Sequence, residues 1–178
     1  IAPSDMTGSW AGAFGQTQFM PSTFLELAVD FDGDGRRDLV NSVPDALAST
    51  ANFLDKRGYR TGEPWGYEVK LPSGFWGASN RKDKKSISHW RNQGLTLANG
   101  SPLPSTLGSA GLLLPAGTDG PAFLVGKNFD TFYSYNASEN YALAIAHLSD
   151  LIAREDSSKT DFVTTWPTDD PGISRQQS

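Results

Sequence analysis

Residues 30–41 read DFDGDGRRDLVN, with Asp30, Asp32 and Asp34 at alternate positions and Gly33 and Gly35 among them. Three carboxylates in so short a stretch repel one another. The segment must therefore form a hydrated acidic turn or an oxygen cage around a hard cation. The spacing follows the EF-hand pattern, in which positions 1, 3 and 5 supply carboxylates, Gly at 6 turns the chain, and a backbone carbonyl at 7 is a ligand. Those positions are Asp30, Asp32, Asp34, Gly35 and the carbonyl of Arg36. Position 12, where a sensor loop carries a bidentate Glu, is Asn41, which offers one oxygen. Asp45 can close a slightly longer loop from the next helix, a role that competes with its place in a capping box, S-x-x-D, begun by Ser42. The alternative is a solvated turn with Arg36, Arg37 and Asp38 as surface charges. One long helix follows and no second loop of this kind exists, so the pattern predicts a structural Ca2+ staple rather than a switch.

The flanking segments predict helices. PSTFLELAV reads as a short helix with Pro21 in its first turn. SVPDALASTANFLDKRGY reads as a longer one, with Leu47, Ala51 and Leu54 at helical spacing and Gly58 at its end. From residue 62 to 120 the chain turns rich in Gly, Pro and Trp. Short strand-like pieces recur there (YEVKLP, LTLAN, GLLLPAG, PAFLVG), and a short helix is expected near ISHWRN. An aromatic run, NFDTFYSYN, then leads into a helix whose Tyr141, Ala144, Ile145, Leu148 and Ile152 form an apolar stripe. These elements give an α+β class. Residues 1–61 and 121–156 form a mainly helical core carrying the acidic loop, residues 62–120 a small β-rich subdomain, and 157–178 a polar tail or linker.

Composition narrows function more than fold. A net charge of −5 leaves no basic footprint for nucleic acid, and the absence of cysteine excludes disulfides and thiolate metal sites. His89 and His147 lack metal-like spacing. Trp65, Trp76 and Trp90 are able to stack on sugar rings, but tryptophans of a small subdomain more often build its core.

The block GSWAGAFGQTQFMPSTFLELAVDFDGDGRRDLVNS, residues 8–42, resembles the lytic murein transglycosylases of the membrane-bound-B type. The resemblance continues through DALASTANFLDKRGY and resumes at FYSYNASENYALAIAHL; the middle of the chain supports it less. It implies a lysozyme-like fold that binds peptidoglycan glycan strands and cleaves the MurNAc–GlcNAc bond, leaving 1,6-anhydro-MurNAc ends. Matched residue by residue, it implies catalytic roles beside the reacting bond for Ser9 and Asn136. It implies substrate-binding roles for Gln18, Phe19, Tyr135 and Tyr141. Each has a structural alternative: a turn or cap for Ser9, a backbone bond for Gln18, core packing for Phe19 and its neighbour Met20, a helix N-cap for Asn136, and the apolar stripe for Tyr141.

The family's catalytic glutamate precedes the G-S-W-A-G block, and none of Glu26, Glu63, Glu68, Glu139 or Glu155 matches it. The expectation is therefore a fragment of a longer enzyme, inactive alone, whose partner is the missing N-terminal segment of the same precursor. A periplasmic location follows from the substrate, with a membrane association supplied by that missing segment. Two rival readings stay open: a non-catalytic peptidoglycan-binding module, and a calcium-binding interaction domain unrelated to sugar.

Overall fold

The computed structural model describes residues 8–153 and 162–167. The chain divides into two compact units, residues 1–59 and 60–178.

The first unit is two helices joined by the acidic loop. Helix α1, Pro21–Leu27, starts with proline in its first turn, where a missing N–H costs nothing. Its C-terminal end is closed from outside, by Asn52 Nδ2 donating to the Leu27 carbonyl at 2.9 Å. Helix α2, Val43–Lys56, begins at the N-cap Ser42, whose hydroxyl accepts from the Asp45 amide. Phe14, Phe19, Leu27, Leu39, Ala46 and Phe53 are buried, with Phe14 edge-on to Phe24 at 5.3 Å and Phe19 tilted against Phe53 at 6.2 Å.

The buried face of α2 is not the expected one. Leu47 is exposed and Ala51 faces solvent, whereas Asp45, Ala46, Ser49 and Phe53 turn inward. The loop imposes this. Its backbone N–H groups need acceptors, and α2 supplies them: Ser49 Oγ accepts from Val29 at 2.9 Å, and Asp45 accepts from Phe31 and Asp38 at 2.8 Å each. Unpaired, partly buried amides cost more than an exposed leucine, so the polar stripe goes inside.

The second unit is built on a five-stranded antiparallel sheet of order β2-β4-β5-β1-β3, from strands β1 Gly66–Lys70, β2 Asn80–Ser86, β3 Thr96–Leu97, β4 Ser109–Leu113 and β5 Ala122–Val125. Four of the strands and helix α3, Ile87–Asn92, lie where the sequence predicts them. β5 is a central strand, and the sheet thus extends past residue 120. β2, NRKDKKS, carries no apolar signal at all; it is an edge strand, where lysines guard against unwanted pairing. Gly111 of β4 allows β2 to approach, since a Cβ there would lie 2.3 Å from the Arg81 carbonyl oxygen.

One sheet face packs Val69, Ala110, Leu112 and Leu124 with Ile87 and Trp90 of α3 and with Leu95, Leu103 and Leu107. On the other face Phe123 meets Trp65, which also contacts Phe129 of helix α4, Lys127–Tyr135. The expected helix is α5, Glu139–Ala153; the aromatic run before it forms a helix of its own, α4, and the two are separated by a break at residues 136–138. α5 buries Ala142, Leu143 and Ala146 rather than the stripe of Tyr141, Leu148 and Ile152, which are exposed. The helix is apolar on most sides, so several stripes fit its sequence. α4 packs against α5, whose buried face carries two small alanines. From the polar tail, Phe162–Pro167 are described: the Glu68 carboxylate accepts the Val163 and Thr164 amides, and Phe162 packs edge-on to Phe123. Glu155 and the rest of the tail lie outside the described residues.

Candidate functional site

Each carboxylate of the acidic loop first organises the backbone. Asp30 accepts from Gly33 at 2.8 Å and Gly35 at 2.9 Å, and Asp32 from Asp34 at 3.2 Å. Asp34 accepts from Arg36 at 2.8 Å, and Asp38 from Val40 and Asn41 at 2.9 Å each. Gly33 and Gly35 sit at φ 78° and 85°, the left-handed region that lets the chain wind around its own side chains. Asn41 donates its side-chain amide to Asp38 at 3.1 Å.

Only part of the capping box forms. Ser42 Oγ accepts from the Asp45 amide at 3.3 Å, but the Ser42 N–H donates to the Asp38 carbonyl. The Asp45 carboxylate is left free of Ser42 and points into the loop. Asp30, Asp32 and Asp45 each bring one oxygen within 4.8 Å of the others. Calcium–oxygen bonds of about 2.4 Å put two ligands on opposite sides of the ion about 4.8 Å apart, so this cluster has the dimensions of a calcium cage. Among the described residues none of these aspartates forms an ion pair, so no protein cation offsets their charge. Asp34 is not one of the three that converge.

The backbone amides of Asp38 and Phe31 hold the Asp45 carboxyl below the usual aspartate range, against the opposing effect of burial. The Asn41 backbone and side-chain amides do the same for Asp38. The folded values lie below the unfolded ones, so the unfolded chain binds more protons in acid. In metal-free protein the stabilisation from these groups is complete above about pH 4 and is lost as pH falls through their folded values. Acid titration of the unfolding midpoint in chelator should show this limb, and Asp45→Asn should flatten it.

The end of the loop holds the turn before α1. Gln16 donates from its backbone to the Leu39 carbonyl at 2.8 Å and from its side chain to that of Val40 at 3.0 Å. Gly15, φ 75°, packs so closely that a Cβ would lie 2.7 Å from the Leu39 carbonyl oxygen. This turn carries Gln18 at φ 53°, a non-glycine in the left-handed region, with Nε2 donating to Gly15 at 2.9 Å. Gln18 Oε1 has no partner among the described residues and faces solvent. Ser9 is exposed, its Oγ accepting from Ala13 at 3.1 Å, which leaves its hydroxyl proton free to donate. Phe19 is corrected: at 2% exposure against Phe53 it is a core residue and offers no ring to a ligand. Met20 next to it is exposed.

In the second unit Tyr135 ends α4 and Asn136 is its C-cap, exposed, without a side-chain hydrogen bond among the described residues. Ser138, not Asn136, caps α5: its Oγ accepts from the Tyr141 amide at 3.3 Å. Tyr141 is 38% exposed. What the sequence does not signal is the clamp behind this corner. Arg81 of β2, 8% exposed, pairs with Asp130 of α4 at 3.0 Å and Glu139 of α5 at 3.2 Å, and its guanidinium lies 3.5 Å over the Tyr133 ring. Lys84 joins Asp130 at 3.0 Å and donates to the Arg81, Val125 and Gly126 carbonyls. An open groove of about 340 Å³ beside the corner is lined by Pro115, Tyr133, Ser138, Glu139 and Asn140.

The family model of the transglycosylase SLT domain matches residues 1–150. The chain belongs to this family. It is 37% identical over 156 residues to the membrane-bound lytic murein transglycosylase B of Escherichia coli, a match covering 85% of this chain and 41% of that one. Its structure is similar to that of SltB3 from Pseudomonas aeruginosa in complex with NAG-anhNAM-pentapeptide, with TM-score 0.88 and 48% identity over 96% of this chain and 45% of that one. It is also similar to the Escherichia coli lytic transglycosylase Slt35 in complex with calcium, with TM-score 0.67 and 36% identity over 83% and 46% of the two chains. The transglycosylase-family chain spans less than half the length of each of these relatives. The expected resemblance and the lysozyme-like α+β fold, helices with a small antiparallel sheet, are thereby established. Among the described residues no helix is long and apolar enough to cross a membrane.

Proposed function

We propose that this chain is part of a peptidoglycan lytic transglycosylase that cleaves the MurNAc–GlcNAc bond and leaves 1,6-anhydro-MurNAc ends. The observation that carries this reading is the 48% identity, over 96% of the chain, to a protein crystallised with NAG-anhNAM-pentapeptide. In such a reaction the muramyl 6-hydroxyl oxygen attacks C1 and the bond from C1 to the leaving oxygen breaks. A glutamic acid protonates that oxygen, and the carboxylate then takes the proton of the attacking hydroxyl, so no water is consumed. This departs from the two-carboxylate scheme of most glycosidases.

Within the second unit, the free amide of Asn136 is suited to the N-acetyl group that assists at C1, and Tyr135 and Tyr141 to contacts with the sugar. Within the first, Ser9 can donate to a carboxyl or a sugar oxygen, and Gln18 Oε1 can accept from a sugar hydroxyl. The general acid is assigned to the part of the precursor outside these residues. Support comes from the described glutamates: Glu63 pairs with Arg60, Glu68 holds two amides, Glu139 pairs with Arg81, and Glu26 is an exposed residue of α1. The same observation favours a second reading, in which this portion binds glycan strands and does not cleave them alone.

Ca2+ is proposed as the structural ion of the acidic loop, held by Asp30, Asp32 and Asp45 with Asp34 and the Arg36 carbonyl completing the shell. Its support is the convergence of the three carboxylates and the calcium complex of a relative. Bound there, a divalent cation would offset two of the loop's negative charges and fix its end at Leu39–Val40. A peptidoglycan substrate places the protein in the periplasm. A membrane attachment supplied from outside this chain fits the name of its Escherichia coli relative.

Mass spectrometry of soluble products after incubation with purified peptidoglycan tests the reading. Muropeptides lighter by one water than hydrolysis products are expected once the segment carrying the acid is supplied. This chain alone is expected to co-sediment with the sacculus and release nothing. Hydrolysis products of full mass would reject the transglycosylase assignment.

A further inference from the structure

Of the three tryptophans in the Gly- and Pro-rich segment, two are core: Trp65 and Trp90 are 7% and 8% exposed. Trp76 is 97% exposed. It is also the wall of a concavity of about 500 Å³, within the size range of small-ligand sites, shared with Leu71, Pro72, Phe75 and Thr118. The frame around it is anchored. Leu71 and Phe75 pack on the main core of the second unit, the Phe75 amide donates to the Pro72 carbonyl at 3.1 Å, and Pro72 lies against Gly94. The Phe75 ring covers Gly77 so closely that a Cβ there would sit 2.4 Å from it. The indole of Trp76 thus stands in solvent beside an anchored frame.

Among the described residues the lining contains no ionisable side chain. An acidic peptide would leave its carboxylates without a cation here, whereas a neutral pyranose matches on both sides. Its apolar C–H face stacks on the electron-rich indole face, and its polar rim meets the Thr118 hydroxyl and open backbone. We infer that the Trp76 groove is an accessory saccharide subsite for an N-acetylhexosamine unit that holds glycan strands by stacking. The inference rests on the peptidoglycan reading and extends it.

The test is an NMR titration of the full chain, labelled at its five tryptophan indoles, with the uncharged β-1,4-linked N-acetylglucosamine tetramer. The Trp76 indole N–H should shift saturably. Trp76→Ala should weaken binding by about tenfold and Trp76→Phe by less, with the remaining resonances unchanged. Four results overturn the subsite. Binding of the tetramer with equal affinity by Trp76→Ala, or co-sedimentation with peptidoglycan while Trp76 ignores the tetramer, would do so and leave the glycan reading intact. A Trp76 response to an acidic stem peptide instead of the tetramer would reject the sugar class. Absence of binding to both tetramer and peptidoglycan would remove the reading itself, and the subsite with it.

Discussion

Millimolar calcium is expected to raise the unfolding midpoint of this protein, and a chelator to abolish the gain. At a hundredfold excess over the dissociation constant a single site contributes about 2.7 kcal/mol, enough for a shift of several degrees. The sharper test is Asp32→Asn. Asp32 accepts one backbone amide and the Ser42 hydroxyl, and an asparagine oxygen can still do either. The change therefore keeps the backbone bond of the turn, gives up at most the 3.3 Å bond from Ser42, and removes one charge from the Asp30, Asp32 and Asp45 cluster. In chelator the variant should be at least as stable as the parent, because like charges are relieved. In calcium it should be less stable. A hydrated acidic turn would give neither the calcium shift nor the reversal. Because Gln16 is bonded to Leu39 and Val40, the Gln18 turn should exchange its amide hydrogens faster when calcium is removed.

Arg81→Ala is expected to cost about 2–3 kcal/mol, read from chemical denaturation. Removing one partner of a buried pair commonly costs about 3–5 kcal/mol. The smaller figure follows because Lys84 still reaches Asp130 and Glu139 is 45% exposed. Arg81→Lys should recover less than half of the loss. A lysine keeps the charge but cannot address two carboxylates while lying flat on Tyr133. The loss should be concentrated at the α4–α5 corner, since Asp130 and Glu139 lie on either side of Asn136. An Arg81→Ala variant within about 0.5 kcal/mol of the parent would show the clamp to be an ordinary surface network.

The acidic loop, the two helices around it, α3 and four of the five strands were legible in the chain, because each has a local signature. The loop has its D-x-D-x-D-G spacing, the helices their proline starts and caps, and the strands short apolar runs between Gly and Pro. The block at residues 8–42 was legible as a family likeness for the same reason: it is contiguous. Arg81 was not legible. It sits in NRKDKKS, a sequence that reads as solvated, and its partners are 49 and 58 residues away. Trp76 was indistinguishable from Trp65 and Trp90, since burial is settled by what packs above a residue.

The sequence by itself determined that an acidic turn follows α1 and where α1, α2 and α3 begin, since these depend on neighbours a few residues apart. Only the tertiary structure decided which way the helices face. α2 turns Asp45 and Ser49 inward because the amides of Val29, Phe31 and Asp38 need acceptors. α5 buries Ala142, Leu143 and Ala146 with α4 packed against it. Phe19 went to the core and Trp76 to solvent for the same reason: burial is a property of the neighbours a side chain meets after folding, and no spacing rule encodes them.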